Sequence, residues 1–179
     1  MNNKSGRPIS KAVRRRSAAR LAAVQALYQV ELTGATPDGI LRDFADRLIG
    51  GEGSVTDHEE GAEFDAPLIE PDSELFTFLV RGSLAQREEL DEIVAKSLSG
   101  DWSMERLEAV LRNVLRAGAY ELKERRDVPA RVAISEYVDV AKAFYAGSEP
   151  GLVNAVLDRI ARVLRAEELG GDGSDARAR

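Results

Sequence analysis

The amino-acid sequence predicts an all-α fold of about six or seven helices with a basic arm at its N-terminal end. Apolar residues recur at three- and four-residue steps through most of the chain, and helix caps and breakers punctuate them. No segment shows strand alternation with hairpin signals. At 179 residues the chain can fill one core, or two small lobes that share an interface.

Leu21, Val24, Leu27, Tyr28 and Leu32 mark one face of a first helix that begins near Ser10 and stops at Gly34. Thr36-Pro37-Asp38 supplies a cap, a proline at the first helical position and an acid in the first turn of a shorter helix, which Gly50-Gly51 ends. From Asp72, the apolar positions Leu75 to Leu98 predict one long helix, or two joined near Gly82, stopped by Ser99-Gly100. Asp101 or Ser103 is placed to cap the next helix, which runs from Leu107 to Leu122 until Asp127-Val128-Pro129 breaks it. Trp102, at that helix start, is expected as a packing anchor between helices. Ala130 to Ala146 forms a further helix. Gly147-Ser148-Glu149-Pro150 opens the last one, striped by Leu152, Val153, Val156, Leu157, Ile160 and Leu164.

The expected organisation is therefore a flexible basic N-terminus over 1–9 and a helical domain over 10–165. A glycine-rich, acidic, flexible loop over 50–71 interrupts that domain, and a disordered tail covers 166–179.

The formal net charge is −6, but it is unevenly spread. Residues 1–30 hold Lys4, Arg7, Lys11, Arg14, Arg15, Arg16 and Arg20 with no acid, whereas 31–80 hold thirteen acids against Arg42 and Arg47. Cations at a helix N-terminus oppose the backbone dipole, so they call for a partner, and phosphate supplies one. The plain alternative is a solvated charge run; composition alone weighs the two evenly, and the missing acids tilt the balance towards nucleic acid.

Other chemistry finds little support. The absence of cysteine excludes disulfides, thiolate metal sites and a cysteine nucleophile, and it suits a reducing cytoplasm. His58, the one histidine, sits among loop carboxylates and reads as solvated, so no metal site is expected. There is no GxxxxGK[ST] and no strand-led GxGxxG. No apolar run approaches a membrane span. Neither an enzyme nor a cofactor is expected. Tyr28, on the apolar stripe, is placed for the core more than for stacking on a base. Glu136, Asp139 and Lys142 read as a solvated helix face, and Asn154 and Asp158, at i and i+4 on the last helix, as residues that pair or cap within the fold.

Three stretches, "RRRSAARLAAVQALYQVELTG", "ERLEAVLRNVLRAGAYELKERRDVPARVAISEYVDVAKAF" and "LVNAVLDRIARVLR", in that order closely resemble the NusB family of bacterial transcription antitermination factors. The resemblance implies two small helical bundles packed together. It also implies a noncatalytic protein that binds single-stranded boxA RNA of ribosomal RNA operon transcripts with the NusE-type small-subunit ribosomal protein. RNA polymerase with other Nus factors would complete that assembly, and a homodimer is left open.

Carried over by position, Lys11, Arg14, Arg15, Arg16 and Arg20 fall in the family's arginine-rich RNA-binding segment. Leu152 stands where members often have an RNA-contacting aromatic. Tyr28 falls near the NusE-facing surface, and Leu111 stands where some members carry an acid facing that partner. Similar helical domains also serve ribosomal RNA cytosine methyltransferases, so a detached RNA-binding module is one alternative. A helical protein-protein scaffold is the other.

Overall fold

A computed structural model of the protein describes residues 10–49 and 69–169, which form eight α-helices. The expectations for the N-terminus 1–9, for Gly50-Gly51, for His58, for the acidic loop as far as residue 68 and for the tail from 170 lie outside the described residues.

Local chemistry starts and stops the first three helices. Helix α1, Lys11–Thr33, opens where the Ser10 hydroxyl accepts the Val13 N–H at 3.3 Å. It closes at Gly34, whose left-handed backbone (φ 67°) lets its N–H reach the Val30 carbonyl. Helix α2, Pro37–Ile49, begins as the sequence predicts: Thr36 Oγ1 accepts the Gly39 N–H at 3.2 Å and proline takes the first helical position. Helix α3, Ser73–Ala85, is capped by Asp72, which accepts the Leu75 N–H at 3.0 Å.

The break in the next stretch falls at Gln86, before α4 (Arg87–Ser97), and Gly82 stays inside α3. A methyl group at Gly82 would collide with the ring of Tyr120, so this glycine serves close helix packing and makes no hinge. The following cap also differs from expectation. Helix α5, Ala109–Glu124, starts beyond Leu107, with Glu108 at its cap position. Ser103 instead accepts the N–H groups of Arg106 and Leu107 through its carbonyl, and Arg112 Nη1 closes the turn by donating to the Met104 and Leu107 carbonyls. Trp102, outside that turn, is 41% exposed and anchors no helix pair.

Helices α6, Ala130–Phe144, and α7, Glu149–Leu164, lie where the sequence places them, Pro129 preceding the first and Pro150 sitting in the first turn of the second. Residues 166–169, expected as the start of the tail, form a single-turn helix α8. Their order comes from Arg165, which is buried and donates to the carbonyls of Leu122 (2.7 Å), Arg125 (2.6 Å) and Val128 (2.6 Å). Glu168 then accepts the Ala130 N–H at 2.6 Å, a bond that holds its carboxyl below the ordinary range.

Two bundles share α5. Helix α1 packs on α3 with α2 alongside, while α4, α6 and α7 gather on the other side. Every residue from Asn113 to Leu122 is buried, as expected of a helix enclosed all round. The basic start of α1 is thereby laid against α6.

Candidate nucleic-acid interface

The first two turns of α1 contain no acid. Lys11, Arg14 and Arg16 are exposed there, and neither Lys11 nor Arg14 has a side-chain partner among the described residues. Arg16 lies within the electrostatic reach of Asp127. That carboxyl is held down to about 2, first by the Arg125 fork, which donates to it at 2.8 and 2.7 Å, and in smaller part by Arg16. Arg15 is engaged differently. Its Nε donates to the Glu70 carbonyl at 3.2 Å and its Nη2 stands 3.9 Å from the Glu70 carboxylate, while the Asp72 N–H donates to its own carbonyl at 3.0 Å. The stretch of chain entering α3 thus crosses the arm and covers one of its four cations.

Arg20, expected at the RNA surface, is 3% exposed. Its guanidinium grips Glu121 through Nε at 2.9 Å and Nη2 at 2.6 Å, and Glu136 through Nη1 at 3.0 Å. Tyr137 donates its hydroxyl to Glu121 at 2.8 Å, and Ser17 donates to Glu136 at 2.7 Å. Burial alone would favour loss of the Arg20 proton, but the hydrogen bond and charge of Glu121 outweigh it and hold the guanidinium above its ordinary range. Burial, joined by the Glu121 anion, pushes the Tyr137 hydroxyl well up. All hydrogen-bonding edges of this arginine are turned inward, so it ties the arm to α5 and α6 and presents nothing to a ligand. Glu136, expected on a solvated face, belongs to the same network.

Leu111, expected to face a protein partner, is 2% exposed and packs in the core of α5. Tyr28 is half-buried on α1, and Leu32, four residues on, is exposed on the same side of the helix. Leu152, in the first turn of α7, is half-buried against the core. Asn154 and Asp158 do not pair in the way expected: Asp158 accepts from Arg162 at 2.7 Å.

A second polar network is one that sequence reasoning missed. Glu31 of α1 accepts from Arg112, from Asn113 at 2.9 Å and from Arg116 at 2.8 Å, and Arg116 also forks onto Asp91 of α4 at 2.5 and 2.9 Å. Burial would raise the Glu31 carboxyl, but these cations and the amide together hold it below its ordinary value. A signal was present: Glu31 is the first acid in the chain, and it lies on a helix otherwise free of acids. No group of three or more metal-ligating side chains occurs among the described residues, and none of their helices is long and apolar enough to cross a membrane.

A family model described as the NusB family matches residues 17–162. A transcription antitermination protein NusB of Rhodospirillum rubrum is 53% identical over 174 residues, covering 94% of this chain and 91% of its own. One from Bradyrhizobium diazoefficiens is 44% identical, covering 94% and 96%. Among solved structures, T. maritima NusB superposes with a TM-score of 0.67 at 28% identity, covering 87% of this chain and 96% of that one. A structure of antitermination factors NusB and NusE in complex with dsRNA superposes with a TM-score of 0.63 at 26% identity, covering 84% and 98%.

Proposed function

The chain belongs to the NusB family of transcription antitermination factors, and we propose that it works in the cytoplasm as a noncatalytic adaptor that binds boxA RNA together with a NusE-type ribosomal protein. The observation that carries this reading is the acid-free start of α1. Lys11, Arg14 and Arg16 stand exposed there, at one edge of an otherwise acidic protein. Such a cluster neutralises phosphates and releases their counterions on binding. The related complex of NusB and NusE with dsRNA supports both an RNA and a protein partner. Arg15 joins the arm if RNA phosphate displaces Glu70, and Leu152 would offer an apolar contact without an aromatic ring's stacking surface. The protein partner would meet α1 at Tyr28 and Leu32.

Substitution of Lys11, Arg14 and Arg16 by alanine tests this. All three side chains are exposed, so helicity and melting temperature should stay unchanged. Affinity for boxA RNA should fall, and the slope of log K against log salt should flatten by about 0.7 for each single-strand phosphate that the arm no longer neutralises. Unchanged affinity and slope in the folded variant would refute the arm as the RNA-binding element.

A further inference from the structure

An open groove of about 440 Å³ runs between α1 and α6, with Val13, Ala18, Leu21, Ile69, Val140 and Ala143 forming its apolar lining and Arg14 at its rim. We propose that this groove is a subsite for one unpaired nucleobase of the RNA whose phosphates the arm neutralises. The inference rests on the RNA-binding reading above and extends it from phosphate contacts to a base contact.

Three observations fit that occupant. The lining includes two exposed aliphatic side chains, Val13 at 43% and Ile69 at 42%, so the protein leaves apolar surface open beside its basic arm. The acids at the groove already have partners: Glu136 accepts from Arg20, which it shares with Glu121, and from Ser17, and Asp139 accepts from Lys142 at 2.9 Å. Arg14 alone of the groove's charged groups has no partner among the described residues, which leaves one uncommitted cation at the rim for a phosphate. Finally, Arg14, Ala18 and Leu21 follow one another at i, i+4 and i+7 along one face of α1. A phosphate held at Arg14 therefore delivers its neighbouring base onto the apolar floor. An apolar peptide side chain would use the floor and leave Arg14 unpaired; a nucleotide uses both.

The test combines a groove-filling variant with RNA that lacks single bases. Ala143→Leu fills the groove from an exposed helix position without changing charge, and Val13→Ala removes part of its wall as an independent variant. Both are titrated with single-stranded boxA RNA carrying an abasic sugar at each position in turn. In the wild type, one or two abasic positions should weaken binding about five- to tenfold, the lower part of the range seen for bases on aromatic platforms because the floor is aliphatic. Ala143→Leu should weaken the intact RNA by a similar factor with an unchanged salt slope, and the critical abasic position should then cost nothing further. Val13→Ala should reduce the cost of that same position. An identical abasic profile in wild type and both variants, with the arm still required, overturns the groove and leaves the arm standing. Absence of RNA binding by the wild type overturns both. Retained RNA binding with lost binding of the NusE-type protein in Ala143→Leu overturns the proposal by showing a protein side chain as the occupant.

Discussion

Replacing Arg20 by methionine separates a structural arginine from an RNA-binding one. The side chain is 3% exposed and its fork is closed on Glu121, which is fully buried and also receives the Tyr137 hydroxyl. Methionine fills much of the same space but leaves a buried carboxylate without its cation. Breaking a buried pair from one side costs about 3–5 kcal/mol. For a domain of this size that corresponds to a melting temperature lower by about 6–20 °C. Glu121→Gln keeps an acceptor for Tyr137 and removes the charge, so the double variant Arg20→Met/Glu121→Gln should recover much of the loss. Urea titrations of the wild type, both single variants and the double variant measure the coupling. The folded double variant should bind boxA RNA within about twofold of the wild type, since an inward-facing guanidinium neutralises no phosphate. A loss below about 1 kcal/mol in Arg20→Met would refute the claim that its charge is committed to Glu121. A flattened salt slope in the stable double variant would show that Arg20 meets RNA after all.

Three further outcomes follow from named contacts. Glu70→Gln should remove the carboxylate beside Arg15 while leaving the bond to the Glu70 main-chain carbonyl, raising affinity for single-stranded RNA by about twofold and steepening the salt slope by up to about 0.7; equal gains from Glu74→Gln, which removes the same charge beside no arm cation, would contradict the pairing. Gly82→Ala should destabilise the protein by about 1–3 kcal/mol in urea unfolding, because the added methyl meets the Tyr120 ring; wild-type stability would show that the two helices can part without cost. Asp127 carries a folded carboxyl value near 2, below its ordinary 3.8, so its contribution is present above the ordinary value and disappears as pH falls through about 2. Asp127→Asn should therefore be less stable than the wild type at pH 6, with the deficit shrinking below the ordinary value and closing as pH falls through about 2, and a deficit independent of pH would contradict the Arg125 fork as its cause.

Features built from neighbours in sequence are legible in the sequence itself. Ser10, Thr36 and Asp72 cap helices within three residues of themselves, and Gly34 and Pro150 act on their own backbone. Features decided by distant partners are not. Arg20 has the composition of the exposed arm, and only Glu121, 101 residues away, turns it inward. Gly82 has the look of a hinge until Tyr120 is placed against it. Ser103 is a good cap by type, yet Arg112 folds the preceding turn and delays α5. The order of α8 depends on Arg165 reaching carbonyls about forty residues earlier in the chain. Leu111 stands, by resemblance, at a position where some relatives have an acid; an aliphatic residue on an enclosed helix goes to the core. At the candidate site, the exposed charge of Lys11, Arg14 and Arg16 is readable from the acid-free run, whereas the groove beside it needs α6 and Ile69 brought together across the chain.

The most direct test of boxA recognition is the affinity for boxA RNA and for a scrambled control of equal length, measured at several salt concentrations with and without the NusE-type ribosomal protein. The expected result is a preference for boxA that the protein partner strengthens, on top of a salt-dependent term that both RNAs share. Equal, steeply salt-dependent binding to both RNAs, unaffected by the partner, would contradict it.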